Sequence, residues 1–501
     1  MGSLCAGLQD CGWCDPSHRR HRRDRVHRPF RQGAARAHLS NAVRPPRALR
    51  RELDVAAVTA LVIGEVIAVG IFLTPASMAR SLGSPFLLLV VWLVMGGMAV
   101  TGALCYGELA ARRPEAGGGY VYLRDGYGSA ISFLYGWKCM LVMDPGITAA
   151  LAIGLGSYVG YLLALSAAGQ KAVAVAAILA VATVNVLGVR LGARLMQWIT
   201  AFKLGALAMI AILALALGAG HWSNFVPLVA QRAGADPLPG ALAPAFVGAF
   251  FAFGGWWEIG KLAGEARDPA RTLPRALTLG VAVVTVVYIM TSAVFLYLVP
   301  LERVTSGETF AAQAGEALFG RAGGRVFAGI VIIAVVGSLL ALLMALPRVY
   351  YAMARDGLFF KGAAVLHPRF GTPARAIGIQ AAIASVLVLL GTFNQIVAYF
   401  IFITVLFVGL TVGALFVLRR REGSVAAYRT PGYPLTPTIF LLLVTALLIL
   451  LAGHAPLQAA LGVGIVGLGA PVYLVAFRRR HITAQTTSDD LDSNHTASGS
   501  G

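Results

Sequence analysis

Apolar runs recur along this chain from Val55 to Phe477, and they constrain its fold more than any other feature. Each run has roughly 20 residues, enough for a helix to cross the ~30 Å hydrocarbon core of a bilayer. Because the runs are apolar on all sides, they favour helices over the alternating strands of a membrane barrel. We therefore predict an all-α polytopic membrane protein with twelve transmembrane helices. The predicted spans lie near residues 54–79, 86–110, 127–161, 172–188, 194–217, 242–263, 276–299, 325–353, 374–391, 395–418, 435–453 and 457–477.

The charge distribution agrees with this topology and argues against a nucleic-acid partner. Only 13% of the residues are charged, and the formal net charge is +19. Of the 41 Lys and Arg, 33 lie in the N-terminal tail, in loops after even-numbered spans or after Phe477, and six lie in the loops of the other side. Basic residues concentrate in cytoplasmic loops. We therefore predict that both termini are cytoplasmic and that the basic surplus is a topology signal, with contact to anionic lipid of the bilayer.

The terminal segments 1–52 and 478–501 are predicted to be disordered cytoplasmic tails, the first Arg-rich and the second polar. The first tail contains CGWC, Cys11 to Cys14, which resembles a redox pair. A redox or zinc site needs a folded unit around it, and this Arg-rich context offers none. No structural disulfide, cofactor or metal site is expected from the five cysteines of the chain.

Two predicted spans combine an unusual backbone with ionisable residues, which mark function when they lie inside a membrane. The first span has Gly64, Gly70 and Pro75, and the sixth has Gly254-Gly255. Paired glycine-interrupted spans, one in each half of the chain, predict a binding site between inverted repeats. The N–H and C=O groups freed at such breaks can bind the carboxylate and the ammonium of a zwitterion. The ionisable residues within or near the spans are Glu65, Glu108, Lys138, Asp144, Lys203 and Glu258.

Five segments match motifs of one known group of transporters. They are GIFLTP (Gly70 to Pro75), GSPFLLLVVW (Gly83 to Trp92), GALCYGELAARRPEAGGGYVYLRDGYG (Gly102 to Gly128), FAFGGWWEIGKLAGEARDPARTLPRAL (Phe251 to Leu277) and RVYYAMARDGLF (Arg348 to Phe359). Through them the sequence resembles the amino acid–polyamine–organocation transporter superfamily, closest to its L-type amino acid transporter branch, from about Asp54 to Arg480. The resemblance implies a LeuT-type fold of two inverted five-helix repeats, residues 53–217 and 242–418, and two additional transmembrane helices in 435–477.

The resemblance also implies a substrate site at the two breaks. The turn Ala68-Val69-Gly70 would hold the substrate carboxylate. Carbonyl groups from Phe251 to Gly255 would take the ammonium, with Phe251 or Phe253 as a gate. Ala68, Val69 and Trp257 depart from the family pattern, so the identity of the substrate stays open. The predicted substrate-binding residues are Ile67, Ala68, Val69, Gly70, Phe251, Ala252, Phe253, Gly255 and Trp257.

Three residues are predicted to serve ion coupling: Lys203, Glu65 and Asp144. The resemblance places the family's fifth-span lysine at Lys203, where its ammonium stands in for a sodium ion or takes part in proton coupling. We hypothesise that Glu65 or Asp144 pairs with Lys203, because a lone buried charge costs more than a matched pair. Two alternatives remain. Glu65 stays protonated and hydrogen-bonds the broken backbone, or one of Glu65, Asp144 and Glu258 selects a cationic amino acid.

These features predict a secondary transporter that moves an amino acid by alternating access without sodium, by exchange or by proton coupling. The alternatives are a transporter of polyamines or cationic amino acids and a membrane sensor that binds its substrate without flux. No enzyme is expected, since the spans lack a nucleophile–base or metal motif. The loop from Ala164 to Lys171 lacks the cysteine through which eukaryotic relatives bind a single-span glycoprotein, so no disulfide-linked heavy subunit is expected. Richness in Arg and Ala suggests a high-GC bacterium and its inner membrane.

Overall fold

A computed structural model describes most of the membrane region of the chain. It covers residues 53–67, 70–114, 117–187, 193–304, 310–423 and 427–477, without the side chains of residues 193–197, 262, 264, 265, 348 and 352. The two predicted tails, the CGWC segment and the pair Ala68 and Val69 lie outside the described residues.

The described residues form helices joined by turns, and no β-strand occurs among them. Short 3₁₀ helices and one π-helical turn, Cys139–Met143, interrupt the α-helices. The α-helices are α1 (Val55–Val66), α2 (Gly70–Leu82), α3 (Pro85–Arg112), α4 (Gly119–Tyr127), α5 (Ser129–Lys138), α6 (Asp144–Leu163), α7 (Ala167–Val186), α8 (Ala193–Ala216), α9 (Leu238–Ala252), α10 (Pro269–Leu298), α11 (Phe310–Ala345), α12 (Pro347–Arg355), α13 (Ala374–Leu390), α14 (Phe393–Glu422), α15 (Leu435–His454), α16 (Pro456–Gly467) and α17 (Gly469–Ala476).

The helices confirm a polytopic all-α membrane protein. In the described part of the chain, ten helical segments are long and apolar enough to cross a membrane. The bent pair α1 and α2 would add an eleventh span. The predicted ninth span coincides with α13, an apolar helix of 17 residues. The count of twelve therefore stays a prediction.

The first break separates α1 from α2, whose axes differ in direction by 47°. Asp54 caps the start of α1 by accepting a hydrogen bond from the amide of Ala57, at 2.8 Å. The helix ends at Val66, and Ile67 leaves the helical conformation with ψ of 52°. Gly70, which begins α2, lies so close to the neighbouring α9 that only a glycine fits there.

The second break follows the end of α9 at Ala252. The chain turns through Phe253 and Gly254, and Gly255 has φ of 109°, a conformation that favours glycine. A 3₁₀ helix, Trp256–Glu265, follows the turn. The structure thus has breaks at both glycine-interrupted positions that the sequence indicates.

The two broken spans lie side by side in the helix bundle. Helix α2 packs against α9, whereas α1 packs against α10 and α8. A Cβ atom placed on Gly70 would lie 2.3 Å from the Cα atom of Ala252. The two breaks are therefore in direct backbone contact, and the elements around them hold the candidate site.

Candidate functional site

One cavity lies between the two breaks, and both contribute to its wall. The lining is largely apolar, and its charged side chains are the carboxylates of Glu65 and Glu258. Helices α6, α11 and α14 complete the wall. The lining residues are Glu65, Val66, Gly70, Met143, Ile147, Leu151, Phe250, Phe251, Gly254, Gly255, Trp257, Glu258, Leu342, Leu346, Phe400, Ile401 and Thr404.

The structure brings four of the predicted substrate-binding residues to this cavity: Gly70, Phe251, Gly255 and Trp257. The ring of Phe251 forms edge contacts with two aromatic rings of α14, Phe393 and Phe400, at centroid distances of 5.5 and 6.2 Å. This places Phe251 at a wall where a gate would act.

The other described members of the predicted substrate-binding set lie outside the cavity lining. Ile67 and Ala252 are buried beside it. Phe253 is 1% exposed and packs against Trp92 and Tyr288, at centroid distances of 6.0 and 5.2 Å. Of the two candidate gate residues, the structure therefore places Phe251 at the cavity and Phe253 in the core.

Tyr288 of α10 connects the two breaks. Its hydroxyl lies 2.9 Å from the carbonyl oxygen of Val66 and 2.8 Å from that of Ala252. These carbonyls stand at the ends of α1 and α9, where helices leave acceptors without intrahelical partners. A hydroxyl has one proton to donate, so Tyr288 satisfies one carbonyl at a time. No sequence signal singled out this tyrosine.

Lys203 connects α8 to α11. Its side chain is 2% exposed, and its ammonium donates a hydrogen bond to Ser338 Oγ at 2.8 Å. The Ser338 hydroxyl in turn donates to the carbonyl oxygen of Ala334 at 3.1 Å. The hypothesised ion pair of Lys203 with Glu65 or Asp144 does not occur among the described residues. Lys203 is instead bound by a hydroxyl of α11, and it lies outside the cavity lining.

Asp144 begins α6, directly after the π-helical turn, and it faces α12 and α13 instead of the cavity. The hydroxyl of Tyr350 donates to Asp144 Oδ2 at 2.5 Å. The Gln380 amide donates to the Asp144 backbone carbonyl at 3.3 Å and to Thr148 Oγ1 at 3.0 Å. Asp144 thus belongs to a polar cluster that joins three helices.

Glu258 forms an ion pair with Lys261, one turn further along the 3₁₀ helix. Lys261 is not among the site residues predicted from the sequence. The sequence did contain a signal for this pair: side chains three residues apart on a helix lie close together, and Lys261 follows Glu258 by three residues. The Glu258 side chain is 7% exposed and lines the cavity with Glu65.

A separate ionic network surrounds Glu108 near the C-terminal end of α3. The charge pattern predicts that this end of the helix faces the cytoplasm. Glu108 is fully buried and accepts hydrogen bonds from Arg112, Arg419 and the Thr430 amide, at distances of 2.5 to 3.1 Å. Arg113 binds Asp125 and Glu422 nearby.

The Arg113 guanidinium of this network lies just beyond the end of α3. Burial lowers the pKa of Arg113, but its hydrogen bonds to Asp125 and Glu422 outweigh burial and raise the pKa above its ordinary value. Arg113 therefore stays charged, and it ties α4 to the end of α14.

Together these features define a class of protein. It is a polytopic helical membrane protein with two broken spans that meet at one cavity, which is the design of membrane carriers. Among the described residues, no cluster of three or more His, Cys, Asp or Glu side chains could hold a metal ion. The family model "Amino acid permease" matches residues 53–476. The chain belongs to this family of permeases.

Curated relatives agree with the family. The chain is 31% identical over 395 residues, 78% of its length, to 89% of the serine/threonine exchanger SteT of Bacillus subtilis. It is 30% identical over 450 residues, 87% of its length, to 82% of the human large neutral amino acids transporter small subunit 2. It is also 31% identical over 377 residues, 74% of its length, to 76% of the rabbit (Oryctolagus cuniculus) b(0,+)-type amino acid transporter 1.

Proposed function

We propose that this protein is a secondary transporter that moves amino acids by alternating access without sodium, by exchange or by proton coupling. The contact of Gly70 with the backbone of Ala252 carries the proposal. It brings the start of α2, whose first amide groups lack intrahelical partners, beside the end of α9, and Gly70 and Phe251 both line the cavity. A carboxylate suits the former and an ammonium the latter. The names of the relatives, an exchanger and amino acid transporters, support the same function.

The proposal includes the LeuT-type architecture. Residues 53–217 and 242–418 would form the inverted repeats, and 435–477 the additional pair of helices, with twelve spans in total. In support, the two broken spans open the two proposed repeats. Each repeat thereby contributes one break to the cavity, as alternating access around a fixed site requires.

Independence from sodium is supported by the surroundings of Lys203. Its buried ammonium already donates to Ser338 Oγ, so a fixed positive charge lies between α8 and α11. A sodium ion next to this ammonium would meet charge repulsion in a medium of low dielectric constant. We therefore propose that Lys203 takes the place of a coupling cation.

We also propose that both termini are cytoplasmic, on the basis of the 33-to-6 distribution of Lys and Arg, and that the membrane is a bacterial inner membrane, on the basis of the richness in Arg and Ala. One relative is named a small subunit, a name that indicates a further subunit for that protein. For this chain we propose that no disulfide-linked heavy subunit is needed, because the segment from Ala164 to Lys171 has no cysteine.

Counterflow in proteoliposomes tests the proposed function. Vesicles preloaded with a mixture of unlabelled amino acids receive one labelled amino acid at a time outside, in sodium buffer or in choline buffer. We expect at least one labelled amino acid to accumulate equally in both buffers. Binding of an amino acid without accumulation would instead identify a sensor, and accumulation that needs sodium would contradict the sodium-independent mechanism.

Replacement of the buried ammonium gives a sharper test. We expect Lys203→Ala to lower counterflow in choline about tenfold or more, because it removes a desolvated charge that binds Ser338. Lys171→Ala is the matched control, since the Lys171 ammonium lies at the surface and donates to the Leu389 carbonyl. Initial rates are normalised to the amount of folded protein. Equal rates for the two variants would show that Lys203 does not replace a coupling cation.

A further inference from the structure

The two carboxylates of the cavity differ from the rest of its wall. Glu65 approaches from the end of α1, and Glu258 approaches from the 3₁₀ helix after the second break. The other described lining residues include no Lys, Arg or His side chain. Two like charges that face one cavity need an explanation, because each buried charge is costly without a partner.

The bonding capacity of Glu258 is only partly used. Its side chain is 7% exposed, and Oε2 faces the Lys261 ammonium. Its Oε1 atom has no hydrogen-bond partner among the described residues, although it is fully shielded from solvent. An unpaired oxygen of a buried carboxylate, on a residue that lines a cavity, is available to a donor that arrives with the substrate.

Glu65 extends from the first break to the second. A Cβ atom placed on Gly255 would lie 3.0 Å from Glu65 Cγ, so the glycine makes room for this side chain. Within the described part of the chain, no hydrogen bond or ion pair engages the Glu65 carboxylate. Lys261 balances one of the two carboxylates, so one negative charge at the cavity stays without a resident partner when both carboxylates are ionised.

We propose that Glu65 and Glu258 form a subsite for a positively charged side chain, so that the transported amino acid is cationic. This inference rests on the proposed function: the two breaks hold the α-carboxylate and the α-ammonium, and the subsite holds the second positive charge. The substrate cation would balance the remaining negative charge and donate to Glu258 Oε1.

The aromatic wall of the cavity suits the same ligand. Phe250 and Trp257 stack with ring centroids 5.5 Å apart, and both line the cavity. Guanidinium and ammonium groups bind favourably to aromatic faces, most of all when water is excluded. Lys203, whose ammonium would repel such a substrate, lies outside the lining and is bound to Ser338.

The other acid considered from the sequence fits this role less well. Asp144 lies outside the cavity lining, and Tyr350 binds its Oδ2 atom at 2.5 Å. Its Oδ1 atom, like Glu258 Oε1, has no hydrogen-bond partner among the described residues, but Asp144 does not line the cavity that a substrate would occupy. Of the three acids, the structure therefore favours Glu65 and Glu258.

Arginine and citrulline test the subsite, because the two amino acids are close in shape and differ in the charge of the terminal group. Each is supplied with label to proteoliposomes preloaded with unlabelled amino acids, in choline buffer. We expect wild-type protein to accumulate arginine at a rate at least about tenfold higher than that of citrulline. Equal or slower accumulation of arginine would overturn the proposal.

Variants of the two acids identify the residues that discriminate. We expect Glu65→Gln and Glu258→Gln each to lower the arginine-to-citrulline ratio about tenfold. Glu302→Gln is the matched control, since the Glu302 side chain lies in a short 3₁₀ helix and is 62% exposed, and it should keep the wild-type ratio. Glu65→Asp retains the charge and should discriminate better than Glu65→Gln, which separates loss of charge from misfolding. An unchanged ratio in Glu65→Gln would refute the subsite.

The two proposals fail in different ways. If serine and citrulline accumulate and arginine does not, the cationic subsite is wrong and the amino acid transporter stands. If folded wild-type protein accumulates no amino acid in either buffer, with or without an inward proton gradient, both proposals are wrong. A preference for a diamine over arginine would also contradict the subsite as described, because a diamine has no carboxylate for the first break.

Discussion

Gly70→Ala is expected to lower counterflow about 100-fold, because it pushes the two breaks apart. The new methyl group would lie 2.3 Å from Ala252 Cα and 3.1 Å from its amide nitrogen, and a backbone cannot move aside as a side chain can. Removal of this overlap requires a shift on the order of 1 Å, and a misplacement of that size can cost about two orders of magnitude in a site that depends on position.

A control for Gly70→Ala exists in the same bundle. A methyl group added at Gly97 of α3 would meet no described atom within 4 Å, so Gly97→Ala should transport as the wild type does. Overpacking at Gly70 costs about 1–3 kcal/mol of stability, which the protein is expected to survive. Rates are compared per amount of folded protein. If Gly70→Ala and Gly97→Ala transport equally well, the contact between the breaks has no functional role.

Glu108→Gln is expected to destabilise the folded protein by about 3–5 kcal/mol, because it removes the anion from a buried ion pair. Glu108 is completely buried, and Arg112 is only 2% exposed. The amide that replaces the carboxylate would remove the counter-charge of the Arg419 guanidinium and one of the two carboxylates that face Arg112, whose other partner is Glu422. Its NH₂ group would also face donors instead of acceptors. The measurement is the midpoint of thermal unfolding in detergent.

Glu302→Gln again supplies the control for this prediction. Glu302 pairs with Arg232 at 2.5 Å, but its side chain is 62% exposed. An ion pair whose carboxylate is exposed to water contributes only about 0–1 kcal/mol. Glu108→Gln should therefore unfold at a clearly lower temperature than Glu302→Gln. Equal midpoints would mean that the network around Glu108 does not hold the ends of α3 and α14 together.

The positions of the spans and breaks could be predicted from the sequence because both depend on local signals. The length of an apolar run determines whether a helix can cross a bilayer. The glycines at Gly70 and Gly255 mark a close backbone approach and a positive φ, which other residues rarely tolerate. These signals need no knowledge of the tertiary structure.

Helix ends were harder to predict where a short helix adjoins an apolar run. The eighth span was predicted at 325–353. Helix α11 begins at Phe310, but Phe319 and Gly320 leave the helical conformation, so the long apolar helix begins just after Gly320, close to the predicted start. The short helical segment before this kink is mixed in polarity, so hydropathy, which reports the apolar run, does not predict it.

The partners of the buried charges could not be predicted, because they come from distant parts of the chain. Lys203 binds Ser338, which lies 135 residues away. Glu108 binds Arg419, which lies 311 residues away. A sequence shows that a buried charge needs a partner, but packing determines which partner it finds. The hypothesised pair of Lys203 with an acid does not occur among the described residues, because packing brings Ser338 to the ammonium instead.

The orientation of the aromatic side chains at the second break could not be predicted from the sequence either. Phe251 and Phe253 are two residues apart, and one lines the cavity while the other packs against Trp92. Helical periodicity assigns faces only within a regular helix. Across the turn after Ala252 that periodicity ends, so the direction of each side chain depends on the local backbone.

Competition by substrate analogues tests most directly whether the two breaks hold an amino acid by both of its charged groups. The labelled amino acid that accumulates best competes with its methyl ester, which lacks the carboxylate, and with its 2-hydroxy acid, which lacks the ammonium. We expect both analogues to compete about 100-fold more weakly than the unlabelled amino acid, because each leaves one set of buried backbone groups unpaired. Competition by either analogue as strong as that of the amino acid itself would contradict the proposed site.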